Sequence, residues 1–212
     1  MLGTLLIVVV DYGIGNLGSA HKALISIGAS AELVDSPRDL SGVTGVVLPG
    51  VGSFGACKSA LKASGLESMV LGAVGAGIPM LGICVGMQML YEGSEESPDM
   101  PGLGLVHGRV RRLTGAPKIP HMSWSQIEYV NRGSESALFR DIPELAWFYF
   151  VHSYAPDVTD DSIAECGYGN GFSAAVSNGK IFGTQFHPEK SSTKGLALLS
   201  NFVAFCDREA AS

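Results

Sequence analysis

Ile78-Pro-Met-Leu-Gly-Ile-Cys84-Val-Gly86-Met-Gln88-Met-Leu-Tyr91 runs from an apolar stretch into a helical pattern through Gly82-Ile-Cys84-Val-Gly86. Ile78 to Ile83 predicts a strand, and a helix follows at once from about Val85 to Tyr91. A nucleophile-type residue flanked by two glycines at such a junction has the nucleophile-elbow pattern, here with Cys in place of Ser. The sharp turn lifts the side chain above a sheet, and Gly82 and Gly86 leave the space that the turn needs. Backbone N–H groups at the start of the following helix favour a thiolate. A lone cysteine is most often a small buried apolar residue. That reading suits Cys57, Cys166 and Cys206, which lack such a context; the elbow favours a nucleophile at Cys84.

Outward from the elbow, strand and helix alternate. Leu5 to Asp11 predicts a buried parallel strand. Asn16 caps a helix with apolar positions Leu17, Ala20, Leu24 and Ile27, which Gly28 ends. Ala31 to Val34 and Gly45 to Leu48 predict strands. Cys57 to Lys62 and Leu66 to Ala76 predict helices. This alternation marks a parallel sheet with helices on both faces. The pattern changes after Gly93. A Gly/Pro/Glu-rich loop to Gly115 is expected to hold a hairpin through Leu105 to Leu113. Strands and turns follow from Pro120 to Gln185, most clearly Trp147 to Tyr154. Phe172 to Val176 and Lys180 to Gln185 flank a turn at Ser177-Asn-Gly179. A last helix, about Ser192 to Cys206, places Leu196, Leu199, Phe202, Val203 and Cys206 on one face. The expected fold is a single α/β domain over residues 1–212, a mostly parallel open sheet flanked by helices with an added antiparallel sheet.

Composition narrows the function classes. The 212 residues are 46% hydrophobic and 16% charged, the reverse of a disordered chain. Lys+Arg 14 against Asp+Glu 20 gives a net charge of −6, which disfavours nucleic-acid binding by bulk electrostatics. The opening apolar run is too short to span a bilayer and lacks the basic start of a signal peptide. The four cysteines form no C-x-x-C pair and fit no zinc template. Reduced thiols in a cytoplasm are expected.

A thiolate nucleophile needs a base and the base needs an orienting group. His187, in Phe186-His-Pro-Glu-Lys190, sits just past a strand end, where α/β sheets place their sites. Glu189 can bond its imidazole and fix the tautomer. Of the other histidines, His152 lies on an apolar strand and suits a satisfied core position equally well. His121 is expected in a loop, His107 in the hairpin, and His21 on the first helix as a surface or packing residue. Acyl transfer also needs donors for an oxyanion. Pro49-Gly50-Val51-Gly52, after a strand ending at Leu48, can turn an N–H toward the site beside that of Val85; a plain glycine-rich turn is the even alternative. Gly13-x-Gly15-x-x-Gly18 matches a dinucleotide-loop expression, but that match alone is weak.

Taken together, the elbow with Gln88, His187-Pro-Glu189, Asp11-Tyr-Gly-Ile-Gly-Asn16, Pro49-Gly-Val-Gly52, Pro120-His-Met122 with Trp124, Tyr149-Phe-Val-His-Ser-Tyr154 and Lys190-Ser191 resemble the class I glutamine amidotransferases. Within them, the pattern resembles the glutaminase subunits of imidazole glycerol phosphate synthases, from end to end of the chain. The resemblance implies a flavodoxin-like fold and no metal or organic cofactor. It implies that Cys84 attacks the side-chain amide of L-glutamine, with His187 as the proton carrier and Glu189 orienting it. Val51, Gly52 and Val85 would serve the oxyanion. Gly50, Gln88 and the backbone at Ser153 and Tyr154 would bind glutamine. Asn16, His121, Met122, Trp124, Tyr149 and Lys190 would face a (β/α)₈-barrel cyclase subunit in a heterodimer, with ammonia passed to histidine biosynthesis. The glutaminase would be slow until that partner turns the Pro49 to Gly52 segment.

The chain departs from the family at one point. Pro-His-Met-Gly-Trp-Asn is usual, whereas this sequence has Ser123 and Ser125. Ser123 adds a side chain where glycine allows close approach, and Ser125 lacks a two-sided amide. Docking or coupling is where these changes are expected to act. Two other readings stay open on the residues alone. Another cysteine hydrolase of the same fold would act on esters or peptides. A flavodoxin-like binding module would use the Asp11 to Gly18 loop and be indifferent to loss of Cys84. A subunit that docks without hydrolysing is disfavoured by the complete Cys-His-Glu set.

Overall fold

The computed structural model describes residues 6–14 and 17–211. Leu5, Gly15, Asn16 and the side chain of Leu17 lie outside the described residues, and with them the cap and docking role expected of Asn16. The first half alternates as its hydrophobic pattern requires: β1 (Leu6–Val10), α1 (Leu17–Ser26), β2 (Ala31–Val34), β3 (Val43–Gly50), α2 (Phe54–Ala63), α3 (Leu66–Gly75), β4 (Met80–Cys84) and α4 (Val85–Leu90). The second half is mostly strand: β5 (Gly93–Ser94), β6 (Ser97–Pro101), β7 (Arg109–Arg112), β8 (His121–Gln126), β9 (Glu128–Tyr129), β10 (Trp147–His152), β11 (Tyr154–Pro156), β12 (Ser162–Cys166), β13 (Phe172–Asn178), β14 (Ile181–Thr184), then α5 (Ser192–Ala210).

The main sheet has the order β2-β1-β3-β4-β14-β13-β12-β9. Its first five strands are parallel, and the last three run on antiparallel. β1, β3 and β4 are buried on both faces, which is why their sequences are continuously apolar rather than alternating. α1 packs against α5, while α2 packs against α3 and α4. A parallel sheet between helix layers places its functional edge at the carboxyl ends of the strands. β3, β4 and β14 end side by side there. A two-stranded β8–β10 ribbon and a four-stranded sheet, β11-β7-β5-β6, complete the α/β fold.

Several local expectations are corrected. β3 does not end at Leu48; Pro49 and Gly50 continue it opposite Ile83 and Cys84. The neighbouring strand holds a pair that a local reading takes for a turn. No hairpin spans Leu105 to Leu113. β7 instead pairs with β5 and β11, partners distant in sequence, and the hairpin of this region joins β5 to β6. The β13–β14 turn is Gly179-Lys180 and not Ser177 to Gly179, because Asn178 still pairs with Ile181 and Gly179 takes the positive φ of +61°. The Trp147 to Tyr154 strand breaks at Ser153, leaving β10 on β8 and β11 on β7. The inner face of α5 is Leu198, Leu199, Phe202 and Cys206, with Leu196 and Val203 at its margin. His121 is not in a loop. It begins β8, is fully buried, and stacks at 3.8 Å on Tyr168 and 5.0 Å on Phe150. Its side chain therefore does not present itself to a docking partner.

Candidate active site

Cys84 stands at the junction of β4 and α4 with φ 56° and ψ −112°, a sparsely populated conformation for a residue with a side chain. The flanking glycines make it possible. A Cβ at Gly82 would sit 2.8 Å from the Gly86 oxygen and the Met87 nitrogen, and one at Gly86 would land on the Leu48 carbonyl oxygen. The strand and helix can therefore close on each other only without those side chains, and the turn between them aims Cys84 out of the sheet edge.

Cys84 lines a cavity of about 260 Å³ with Val51, Gly52, Val85, Gln88, Ser153, Tyr154 and His187. The expected residues thus converge from β3, the elbow, the β10–β11 break and the end of β14. Glu189 stands behind His187 and not on the cavity wall, and Gly50 is the other exception. It lies behind the wall, where a Cβ would meet Gly86 N at 2.8 Å and Tyr12 Oη at 2.7 Å. Tyr12 Oη donates to the Pro49 carbonyl at 2.8 Å and pins the end of β3. The cavity is smaller than the ~300–1,000 Å³ of drug-sized sites. It suits one small polar molecule and not a flavin or dinucleotide.

His187 Nδ1 donates to Glu189 Oε1 at 2.7 Å, and both side chains are almost wholly buried. That bond leaves Nε2 as the imidazole's free atom, buried and turned toward Cys84, with no partner of hydrogen-bond geometry among the described residues. Burial opposes the imidazolium, but the neighbouring Cys84 side chain and then Glu189 outweigh it and raise His187 to about 10. The imidazolium is therefore held at neutral pH opposite Cys84, an arrangement suited to donating a proton to a leaving group. The backbone fixes this pair. His187 N donates to Tyr149 O, Ser191 Oγ donates to His187 O, and Tyr149 N donates to Ser191 Oγ.

Gln88 spends both amide protons inside the protein, donating to Tyr154 O at 2.8 Å and to Gln185 Oε1 at 3.0 Å. Its Oε1 is the polar atom left for the cavity. Gln185 Nε2 reaches Cys84 Sγ at 3.7 Å. Gln185, Glu96, Pro120 and His152 were not anticipated at the site. Glu96 lines the cavity and accepts from Phe54 N at the start of α2 at 2.7 Å. Only the position of Gln185, two residues before His187 at a strand end, carried a local signal. Of the expected docking residues, Met122 and Trp124 are 61% and 45% exposed, Lys190 is exposed, and Tyr149 is half-buried. Cys57, Cys166 and Cys206 are buried free thiols. Among the described residues no group of three or more His, Cys, Asp or Glu is placed to hold a metal ion.

The chain matches the glutamine amidotransferase class-I family over residues 8–205, and it belongs to that family. Its relatives include the imidazole glycerol phosphate synthase subunit HisH of Moorella thermoacetica, 43% identical over 198 residues and covering 92% of this chain and 93% of that one. The subunit of the same name from Gloeobacter violaceus is 46% identical, covering 93% of this chain and 88% of that one. Among solved structures, a glutamine amidotransferase superposes with a TM-score of 0.74 at 20% identity, covering 94% of this chain and 98% of that chain. PurLQS from Thermotoga maritima superposes at 0.76 and 19% identity, covering 95% and 99%. At such identity these two speak for the fold alone.

Proposed function

We infer that this chain is the glutaminase subunit of an imidazole glycerol phosphate synthase, which hydrolyses glutamine to glutamate and ammonia. The observation that carries the chemistry is Cys84 at the elbow, sharing a small cavity with an imidazolium whose far side is held by Glu189. Cys84 attacks the side-chain carbonyl carbon of glutamine, forming a C–S bond. As the C–N bond breaks, His187 Nε2 gives its proton to the leaving nitrogen, which departs as ammonia. His187, now neutral, takes a proton from water; the oxygen attacks the thioester, and glutamate leaves with the thiolate restored. Glu189 supports the imidazolium in both steps. The Val85 N–H with one from the Val51 to Gly52 segment stabilises the oxyanion. Gln88 Oε1 accepts from the substrate amide. The backbone at Ser153 and Tyr154 holds its amino-acid end, where Glu96 offers a carboxylate to the α-ammonium.

The partner is a cyclase subunit that takes up the ammonia. Met122, Trp124, Tyr149 and Lys190 support a docking face, since two large apolar side chains and a cation among them stand exposed. Tyr149 also bonds the His187 backbone, which ties that face to the site. Docking turns the Val51–Gly52 peptide so that its N–H faces Cys84. Ammonia release by the purified chain, alone and with a cyclase subunit and its nucleotide ligand, tests this beside Cys84→Ala. Activity appearing in the complex and lost in the variant is expected. Activity that survives Cys84→Ala rejects the mechanism.

A further inference from the structure

His152 Nδ1 lies 2.9 Å from the Tyr154 carbonyl oxygen. A carbonyl only accepts, so Nδ1 carries the proton. Burial holds His152 down to about 3 and His121 down to about 4, so both rings are neutral near pH 7. His152 Nε2 is then a bare acceptor, and the ring nitrogen facing it, His121 Nδ1 at 3.1 Å, must donate. His121 Nε2 in turn accepts, and Ser125 Oγ at 2.9 Å must supply the proton. Ser125 has no second proton, so Ser123 Oγ, at 3.3 Å, donates to it. Every bond in the series follows from the one before, and all run one way, from Ser123 to the Tyr154 carbonyl.

The carbonyl at the end of that series is also the acceptor for Gln88 Nε2. We infer that Ser123, Ser125, His121 and His152 form a directional hydrogen-bond relay that fixes the Tyr154 carbonyl and, through it, the orientation of Gln88, making them positioning residues for the substrate amide. The inference rests on the glutaminase reading for what Gln88 contacts, and on the bonds alone for the relay itself. It gives a physical role to the two serines that distinguish this sequence from its family's usual Gly and Asn. The Tyr154 carbonyl sets the His152 tautomer and that sets the His121 tautomer, and the donor at position 125 satisfies the bare His121 Nε2 that results. Without that second donor, the Tyr154 carbonyl is held less firmly, and Gln88 relies more on its bond to Gln185.

The test has two arms. Nitrogen-15 imidazole spectra of the labelled chain at pH 7.5, assigned with His121→Gln and His152→Gln, should show both rings neutral with the proton on Nδ1. Either ring charged, or protonated on Nε2, overturns the relay. In the complex with the cyclase subunit, Ser125→Ala should raise KM for glutamine by ~5-fold or more while kcat stays within about twofold. Ser125→Asn, whose amide N–H can replace the hydroxyl donor, should restore KM. A KM unmoved by Ser125→Ala, or not rescued by Asn, overturns the positioning role. A wild-type complex without glutaminase activity defeats the proposed function instead, and the spectra still decide the relay.

Discussion

The Cys57 thiol donates to the carbonyl oxygen of Val51 at 3.3 Å. In a trans peptide the carbonyl and the next N–H point in opposite directions, so this contact sets where the Gly52 N–H aims. Burial raises the Cys57 thiol above its ordinary range, which keeps it protonated and able to donate. Cys57→Ala removes the restraint at the cost of one weak bond. Glutaminase activity without the partner should rise ~2–10-fold, the worth of a modest hydrogen bond. Ammonia release by the isolated chain checks this; an unchanged rate means that another contact holds the resting peptide.

Glu189→Gln removes the charge behind His187 while keeping a hydrogen-bond acceptor. The imidazole should titrate well below the value of about 10 that it holds beside Glu189 and Cys84. Turnover in the complex should fall ~10²–10⁴-fold, with the KM for glutamine little changed. Imidazole chemical shifts followed against pH, beside steady-state kinetics, test the two halves separately.

Stability should depend on pH with two signs. His121 and His152 sit at about 4 and 3 in the folded chain against an ordinary 6.5, chiefly through burial. Below pH 6.5 the unfolded chain binds protons that the native rings refuse. Their contribution is present above 6.5 and lost as pH falls toward 3, at ~1.4 kcal/mol per pH unit for each ring. His187 behaves oppositely. Its raised value makes its contribution complete below 6.5 and lost as pH rises through about 10. Urea unfolding between pH 4 and 10 should therefore give a maximum between the two flanks; a flat acid flank would contradict the buried neutral pair.

Two glycine substitutions should move stability in opposite directions. Gly86→Ala drives a methyl into the Leu48 carbonyl, backbone against backbone, and should cost ~3 kcal/mol or more. Gly72, within α3, has open space at its Cβ position, so Gly72→Ala should add ~0.5–1 kcal/mol. Denaturant midpoints for the two variants measure both.

How much was legible in the sequence follows the range of the forces involved. Cys84 was legible because its strained turn and two glycines lie within five residues, and Glu189 because it lies two residues from His187. Glu96 was not, since β5 and β6 must form before it reaches the elbow, and Gln185 showed only through its place two residues before His187. The same limit accounts for β7, whose register belongs to β5 and β11 and not to its neighbours in the chain. A His beside a Pro reads locally as a loop, whereas Phe150 on β10 and Tyr168 in the turn between β12 and β13 enclose His121 from far along the chain. The end of β3 was misjudged because Pro49-Gly50 breaks a strand by local preference, and β4 overrides that preference.

The commitment of both Gln88 amide protons, to Tyr154 and Gln185, reaches beyond substrate binding. What remains is a lone-pair surface, welcoming to an NH₂ group and repellent to a second oxygen. On the proposed reading, in which Gln88 meets the substrate amide, glutamine arrives with the former and glutamate departs with the latter. Discrimination between reactant and product is thus built into one side chain, and the turnover that releases ammonia also turns the contact that held the substrate into one that expels what is left.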